Sequence, residues 1–242
     1  MKTIEYLSYV ITFSLICIAI FHWIKNKIRP MRKIGFTFDN KTILDITAAL
    51  LICGITVSFI FLADLSFGFI KIQDMNLPKS VFFKFILFLF IASFIEELIN
   101  RGLLVNGLSV LIKKNWQVIL LAAIVFGLGH ATGEGVSLLS ILSNAMGGAI
   151  YTIAFLGAKN IWFPWALHFS WNTFQFIYGY PVSGLKYDSI VVQTEIKDTI
   201  WNGGSYGPEG GLIGIFFRIA ILLLILLYFR KYRLMDIQDI FK

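Results

Sequence analysis

The sequence predicts an all-α polytopic membrane protein of seven or eight transmembrane helices. Three observations predict it. The 242 residues are 57% hydrophobic and 14% charged, with a mean hydropathy of +0.78, whereas a soluble domain carries about 25% charged residues. Apolar runs close to the roughly 20 residues needed to cross a bilayer recur along the chain. The basic residues behind the formal charge of +7 sit in short turns between those runs. That is the positive-inside pattern and not a basic face for nucleic acid. Cys17 and Cys53 both fall in apolar runs, which argues against a disulfide framework or a zinc-type Cys motif.

The first span covers about Tyr6 to Ile24, with His22 beside Trp23 at its interfacial end. No small-residue cleavage site follows, so the segment reads as a retained helix and not a removed signal peptide. The loop Lys25 to Lys41 is strongly basic. The second span runs from Ile43 to Leu65 and can continue to Ile70. A polar loop, IQDMNLPKS, brings Pro78 ahead of the third span, Val81 to Ile112. Lys113, Lys114 and Asn115 make a tight turn into the fourth, Trp116 to His130. After ATGEGV, whose Glu134 reads as a solvated acid, the fifth span runs from Ser137 to Gly157, and its Asn144, Gly147 and Gly148 point to close helix packing.

Lys159 and Asn160 turn the chain into the sixth span. Pro164 lies near its start, where the missing N–H costs little, and the helix carries His168 and Asn172 and ends near Tyr178. The loop Tyr180 to Gly210 sets Lys186 and Lys197 against Asp188, Glu195, Asp198 and Glu209. The seventh span, Gly211 to Tyr228, precedes RKYR. Alternating these spans puts Lys25–Lys41, Lys113/Lys114, Lys159 and Arg230–Arg233 together on the cytoplasmic side, with the N-terminus and the Tyr180–Gly210 loop outside. Residues 1–242 read as one transmembrane domain, without an internal repeat, P-loop or dinucleotide fingerprint.

Inside the third span, Glu96, Glu97 and Arg101 are the only charges after Lys84. Ionised groups in hydrocarbon cost a few kcal/mol or more, so membrane segments keep them chiefly for function. Glu97 and Arg101 are four residues apart and can pair across one turn, while Glu96 has no partner in its own segment. Phe126 and His130 share one helical face, as do His168 and Asn172. At 1.5 Å per residue, Glu96 stands about 26 Å from the Lys113 turn, His130 about 21 Å from Trp116, and His168 and Asn172 about 12 and 18 Å past Asn160. Straight helices do not level these groups. Either the Arg101–Lys114 helix projects beyond the bilayer or it bends at Gly102 or Gly107.

If the four meet, the chemistry is hydrolysis. A carboxylate in a low-dielectric site is a competent general base near neutrality, so Glu96 with His130 can deprotonate a water. His168 and the Asn172 amide can donate to an oxyanion, and Glu97 with Arg101 can fix the glutamate helix.

Glu96-Glu97-Leu-Ile-Asn-Arg101, Phe126-x-x-x-His130 and His168-x-x-x-Asn172 resemble, in order and spacing, the three motifs of the CPBP (Abi) family. These are the CAAX-type prenyl-protein endopeptidases and bacteriocin-processing membrane proteases. The resemblance covers a catalytic core of about residues 82–174. It implies an intramembrane endopeptidase in which Glu96 and His130 activate water, His168 and Asn172 form the oxyanion hole, and Glu97, Arg101 and Phe126 support them, with no cofactor. Asn100 departs from the pattern, since many members carry an aromatic residue before the Arg. The implied substrate is a leader peptide, a pheromone precursor or another small membrane protein, in contact with the lipid bilayer. The Lys-, Ile- and Phe-rich composition suits a bacterial cell membrane. The resemblance implies cytoplasmic access, whereas the charge pattern and the ruler draw the site towards the outer half.

Other readings stay open. Glu96, His130 and His168 are also a zinc ligand set with room for water in the fourth position, although HExxH is absent and Asn172 then has no role. A non-proteolytic immunity or regulatory scaffold would keep the fold without the reaction. A proton-coupled transporter would use the Glu–His relay, but the sequence offers no discontinuous helix pair. The Phe run Phe82, Phe83, Phe85, Phe88 and Phe90 reads as lipid-facing or packing. Ser170 faces away from His168, which argues against a serine triad.

Overall fold

Leucine-, isoleucine- and phenylalanine-rich runs with few breakers form helices because lipid offers the backbone no other hydrogen-bond partners. The computed structural model describes residues 2–28, 30–75, 79–194, 197 and 199–242. Arg29 in the basic loop, Pro78, Glu195 and Asp198 lie outside the described residues.

The helices are α1 (Lys2–Lys25), α2 (Pro30–Ile34), α3 (Thr42–Ser66), α4 (Lys79–Glu97), α5 (Val105–Leu111), α6 (Asn115–Gly129), α7 (Leu138–Ala158), α8 (Trp162–Ile177), α9 (Leu212–Tyr228) and α10 (Gln238–Phe241). Between α4 and α5 the helix continues as a π-wound segment, Leu98–Leu104, and α9 ends in another, Phe229–Arg233. A small antiparallel ribbon, β1 (Ile72–Met75) with β2 (Val191–Gln193), joins two loops that sequence reasoning left irregular.

Local chemistry sets several boundaries. Ser137 and Ser140 exchange side-chain-to-backbone bonds of 3.1 and 2.9 Å, a reciprocal cap that starts α7. Lys159 ends α7 with φ +55°, and buried Asn160 then starts α8 by accepting from the Phe163 N–H at 3.0 Å. The Asn160 amide also donates to Asp45 at 3.0 Å, tying that turn to α3.

Helix α8 is the central element and packs on α3, α4 and α7. Its buried Phe163, Leu167 and Trp171 meet Val57 and Ile60 of α3, Ile150 and Ala154 of α7, and Ile221 and Ile225 of α9 in the main core. Helix α1 lies against α5 and α6, close enough that a Cβ on Gly107 would strike the Leu15 carbonyl.

Four helices among the described residues are long and apolar enough to cross a membrane: Tyr6–Lys25, Thr42–Ser66, Leu138–Ala158 and Leu212–Arg233. The other three expected spans are helices at the expected places, but not of that length and composition. Lys79–Glu97 carries two lysines and two glutamates, and α6 and α8 have only 15 and 16 residues. At 1.5 Å per residue those two reach about 23 Å, short of a hydrocarbon core of about 30 Å. Counting apolar runs missed this because α8 is buried among other helices, so lipid thickness does not set its length.

Hydrogen bonds gather basic turns at one end. There the Ile161 N–H donates to Gly35 O at 3.0 Å, Thr37 Oγ1 to Lys159 O at 2.8 Å and Lys41 Nζ to Tyr232 O at 2.9 Å. A cavity of about 780 Å³ at this end is lined by Lys33, Lys41, Lys159 and Arg233 with Asp39. The opposite end collects the loops after α3, α6 and α8. The Gly184 N–H donates to Tyr206 O and the Thr194 N–H to Lys71 O, at 3.1 and 2.9 Å. Lys186 pairs with Glu134 at 3.1 Å.

Candidate active site

Glu96 comes from the last turn of α4, His130 from the C-cap of α6, and His168 and Asn172 from one face of α8. All four line one cavity of about 310 Å³. Glu96 Oε2 is 3.9 Å from His130 Nε2 and 4.0 Å from His168 Nε2. The Glu96 side chain is 42% exposed while that of His168 is 6% exposed, so the acid faces the opening and the histidine forms the wall.

Part of the levelling problem posed by the sequence is met by the π segment Leu98–Leu104. Its i→i+5 bonding puts more residues into each turn, so the chain climbs less between Glu96 and Lys113 than an α-helix would. The segment contains Gly102, one of the two expected bend positions. Gly107 lies in α5 and serves the close approach to α1 instead.

Each histidine is held through its Nδ1. His130 Nδ1 lies 2.9 Å from Phe126 O. A carbonyl can only accept, so Nδ1 carries the proton there and Nε2 turns to the cavity. His168 Nδ1 lies 2.8 Å from Glu97 Oε1, and the same oxygen accepts from Arg101 Nη1 at 3.1 Å. Arg101 Nη2 donates to Gly148 O at 3.0 Å, and its guanidinium sits 4.6 Å from the Phe126 ring centre and 5.2 Å from that of Tyr151. Tyr151 stacks on the His168 imidazole at 5.0 Å and 17°. Glu97 thus orients His168 as well as pairing with Arg101.

The Asn172 amide has no hydrogen-bond partner among the described residues and lines the cavity. Asn100 donates to Glu96 O at 2.9 Å and lines a neighbouring lobe of about 320 Å³ with Ser8, Tyr9 and Thr12 of α1. Ser170 donates to Leu50 O at 2.9 Å, on the side of α8 away from the cavity.

Residues 78–174 match the Rce1-like family, described as type II CAAX prenyl endopeptidase. No curated protein and no solved structure matches the chain significantly. The matched segment runs from the start of α4 to α8 and contains every residue singled out from the three motifs. The matched family is a protease family, and with four helices among the described residues long and apolar enough to cross a bilayer the match points to an integral membrane protein. Among the described residues no group of three His, Cys, Asp or Glu is placed to hold a metal ion.

Two contributors went unnoticed in the sequence. Phe88, read as lipid-facing or packing, lines the cavity together with Leu89, Val182, Leu185 and Tyr187. Glu209, read as a loop charge, is buried, and its Oε1 accepts from Arg218 Nη2 at 3.0 Å and Trp171 Nε1 at 2.8 Å. Its Oε2 accepts from Ser183 Oγ at 2.6 Å. Nearby, Tyr206 Oη donates to His130 O at 3.2 Å and accepts from Asn144 Nδ2 at 2.9 Å. The available signal was Arg218 itself, a charge within an otherwise apolar span.

Proposed function

We propose that this protein is an intramembrane endopeptidase that hydrolyses a peptide bond of a membrane-associated peptide or small protein, using Glu96 as general base. The observation that carries this reading is the convergence of Glu96 Oε2 on His130 Nε2 and His168 Nε2, at 3.9 and 4.0 Å, beside Asn172 in one cavity. Those gaps are too long for direct hydrogen bonds and within reach of one bridging water. Glu96 takes a proton from that water as its oxygen attacks the scissile carbonyl carbon, while the O–H that the water keeps donates a hydrogen bond to His130 Nε2. The oxyanion receives donors from Asn172 Nδ2 and His168 Nε2. With Nδ1–H already given to Glu97, His168 has an Nε2–H only as imidazolium, and Glu97 is the counter-charge that suits it to that state. When the tetrahedral species collapses, the C–N bond breaks and the amine leaves with the proton held by Glu96. The seven helices that alternate in direction are inferred to cross the membrane together, the short ones shielded by their neighbours.

The test is cleavage of a mixed peptide library by detergent-purified protein, with Glu96→Ala in parallel and a chelator arm. Cleavage by the wild type, lost in Glu96→Ala and retained with chelator, is expected. Cleavage lost with chelator would replace the mechanism by a zinc-dependent one. A folded protein inactive in every arm would leave a scaffold.

A further inference from the structure

The cavity that holds Glu96 opens towards one end of the helices, and charge marks that end. Its lining includes Thr132 and Gly133 from the loop after α6 and Val182, Leu185 and Tyr187 from the loop after α8, so it borders the loops of that end. The segments carrying Lys33, Lys41, Lys159 and Arg233 meet at the other end, where they line a separate cavity. Lys113 and Lys114 precede α6, whose far end carries His130, and so share that basic end. At the mouth, by contrast, Lys186 is neutralised by Glu134. Lys/Arg bias in short loops sets membrane orientation, so the basic end is cytoplasmic and the site faces away from the cytoplasm.

The wall chemistry adds a second constraint. Together with the polar quartet the cavity is lined by Phe88, Leu89, Val182 and Leu185. Phe88 and Leu185 remain 51% and 55% exposed. Tyr9 of α1 and Phe88 of α4 both border the cavity, so an apolar side chain can reach it from the outer leaflet as well as from the aqueous phase.

We infer that the substrate is a peptide presented on the extracytoplasmic side of the membrane, with an apolar residue beside the scissile bond seated against Phe88, Leu89, Val182 and Leu185. This rests on the peptidase reading above and adds the face of access. It also sets an order of events: a substrate made in the cytoplasm must be translocated before it is cleaved.

The test uses the full chain in right-side-out and inside-out bacterial membrane vesicles. In a Cys17→Ala/Cys53→Ala background, Asp188→Cys reports the cavity end and Lys231→Cys the basic end, each read with a membrane-impermeant maleimide. An impermeant library of fluorogenic peptides, with apolar residues flanking the cleaved bond, is added to both preparations of the parent protein. Expected are labelling of Asp188→Cys only in right-side-out vesicles, labelling of Lys231→Cys only in inside-out vesicles, and loss of cleavage on inversion. Reversed labelling, or cleavage confined to inside-out vesicles, overturns the inference and leaves the peptidase standing. Correct labelling with no cleavage in either orientation overturns the peptidase reading and this inference with it.

Discussion

Two adjacent glutamates serve different ends because a helix sends them in different directions. Glu96 looks into the cavity with much of its carboxylate open, whereas Glu97 is fully buried between Arg101 and His168. Their substitutions should therefore separate. Glu96→Ala should lower kcat by about 10²- to 10⁴-fold, the usual contribution of a general base, and leave thermal unfolding in detergent close to wild type. Glu97→Gln should lower activity and stability together, because it strips Arg101 of its buried counter-charge, a loss of about 3–5 kcal/mol for such a pair. Unchanged melting for Glu97→Gln would mean that Arg101 is satisfied by Gly148 and the two aromatic rings alone.

Among the elements, the start of α3 is where the basic end is pinned. The Asp39 carboxylate accepts from the Lys41 N–H and the Thr42 hydroxyl, both at 2.9 Å, and from Arg233 at 2.8 Å. Arg233 also pairs with buried Asp45. Partial burial pushes the Asp39 carboxyl up, but these three donors outweigh it and hold it below the usual carboxylate range. A depressed native value contributes stability that is full above the unfolded value, near 4, and is lost as pH falls through the native one. Because Asp39 is about half exposed, the effect should be at most about 1 kcal/mol. Melting curves from pH 6 down to pH 3 should therefore fall slightly less steeply for Asp39→Asn than for wild type. A steeper fall in the variant would contradict the assignment.

Across the whole molecule, the site depends on residues far outside the matched core. Glu209 in the loop before α9 and Arg218 within α9 form a buried pair that also holds Trp171, the neighbour of Asn172, while Tyr206 holds the His130 carbonyl. Arg218→Met should cost about 3–5 kcal/mol by leaving Glu209 buried without compensation. Adding Glu209→Gln should restore part of that loss, as read by thermal unfolding of the single and double variants. Additive losses in the double variant would show that the two residues act independently.

The sequence by itself determined the helical membrane class, the order of the helices and the identity of the four convergent polar residues. Each of those is a local property: apolar run length, loop charge, or two side chains one turn apart. It also posed a depth mismatch that it could not resolve, because helix winding is set by packing: Leu98–Leu104 is wound as π where α1, α2 and α6 press against it. Burial likewise decided that α8 stays short and that Glu209 is not the solvated loop charge it resembles in one dimension, while packing placed Phe88 at the edge of the cavity. Only the tertiary structure brings Nε2 of two histidines around one carboxylate, since three helices separated in sequence must first pack before their faces can meet.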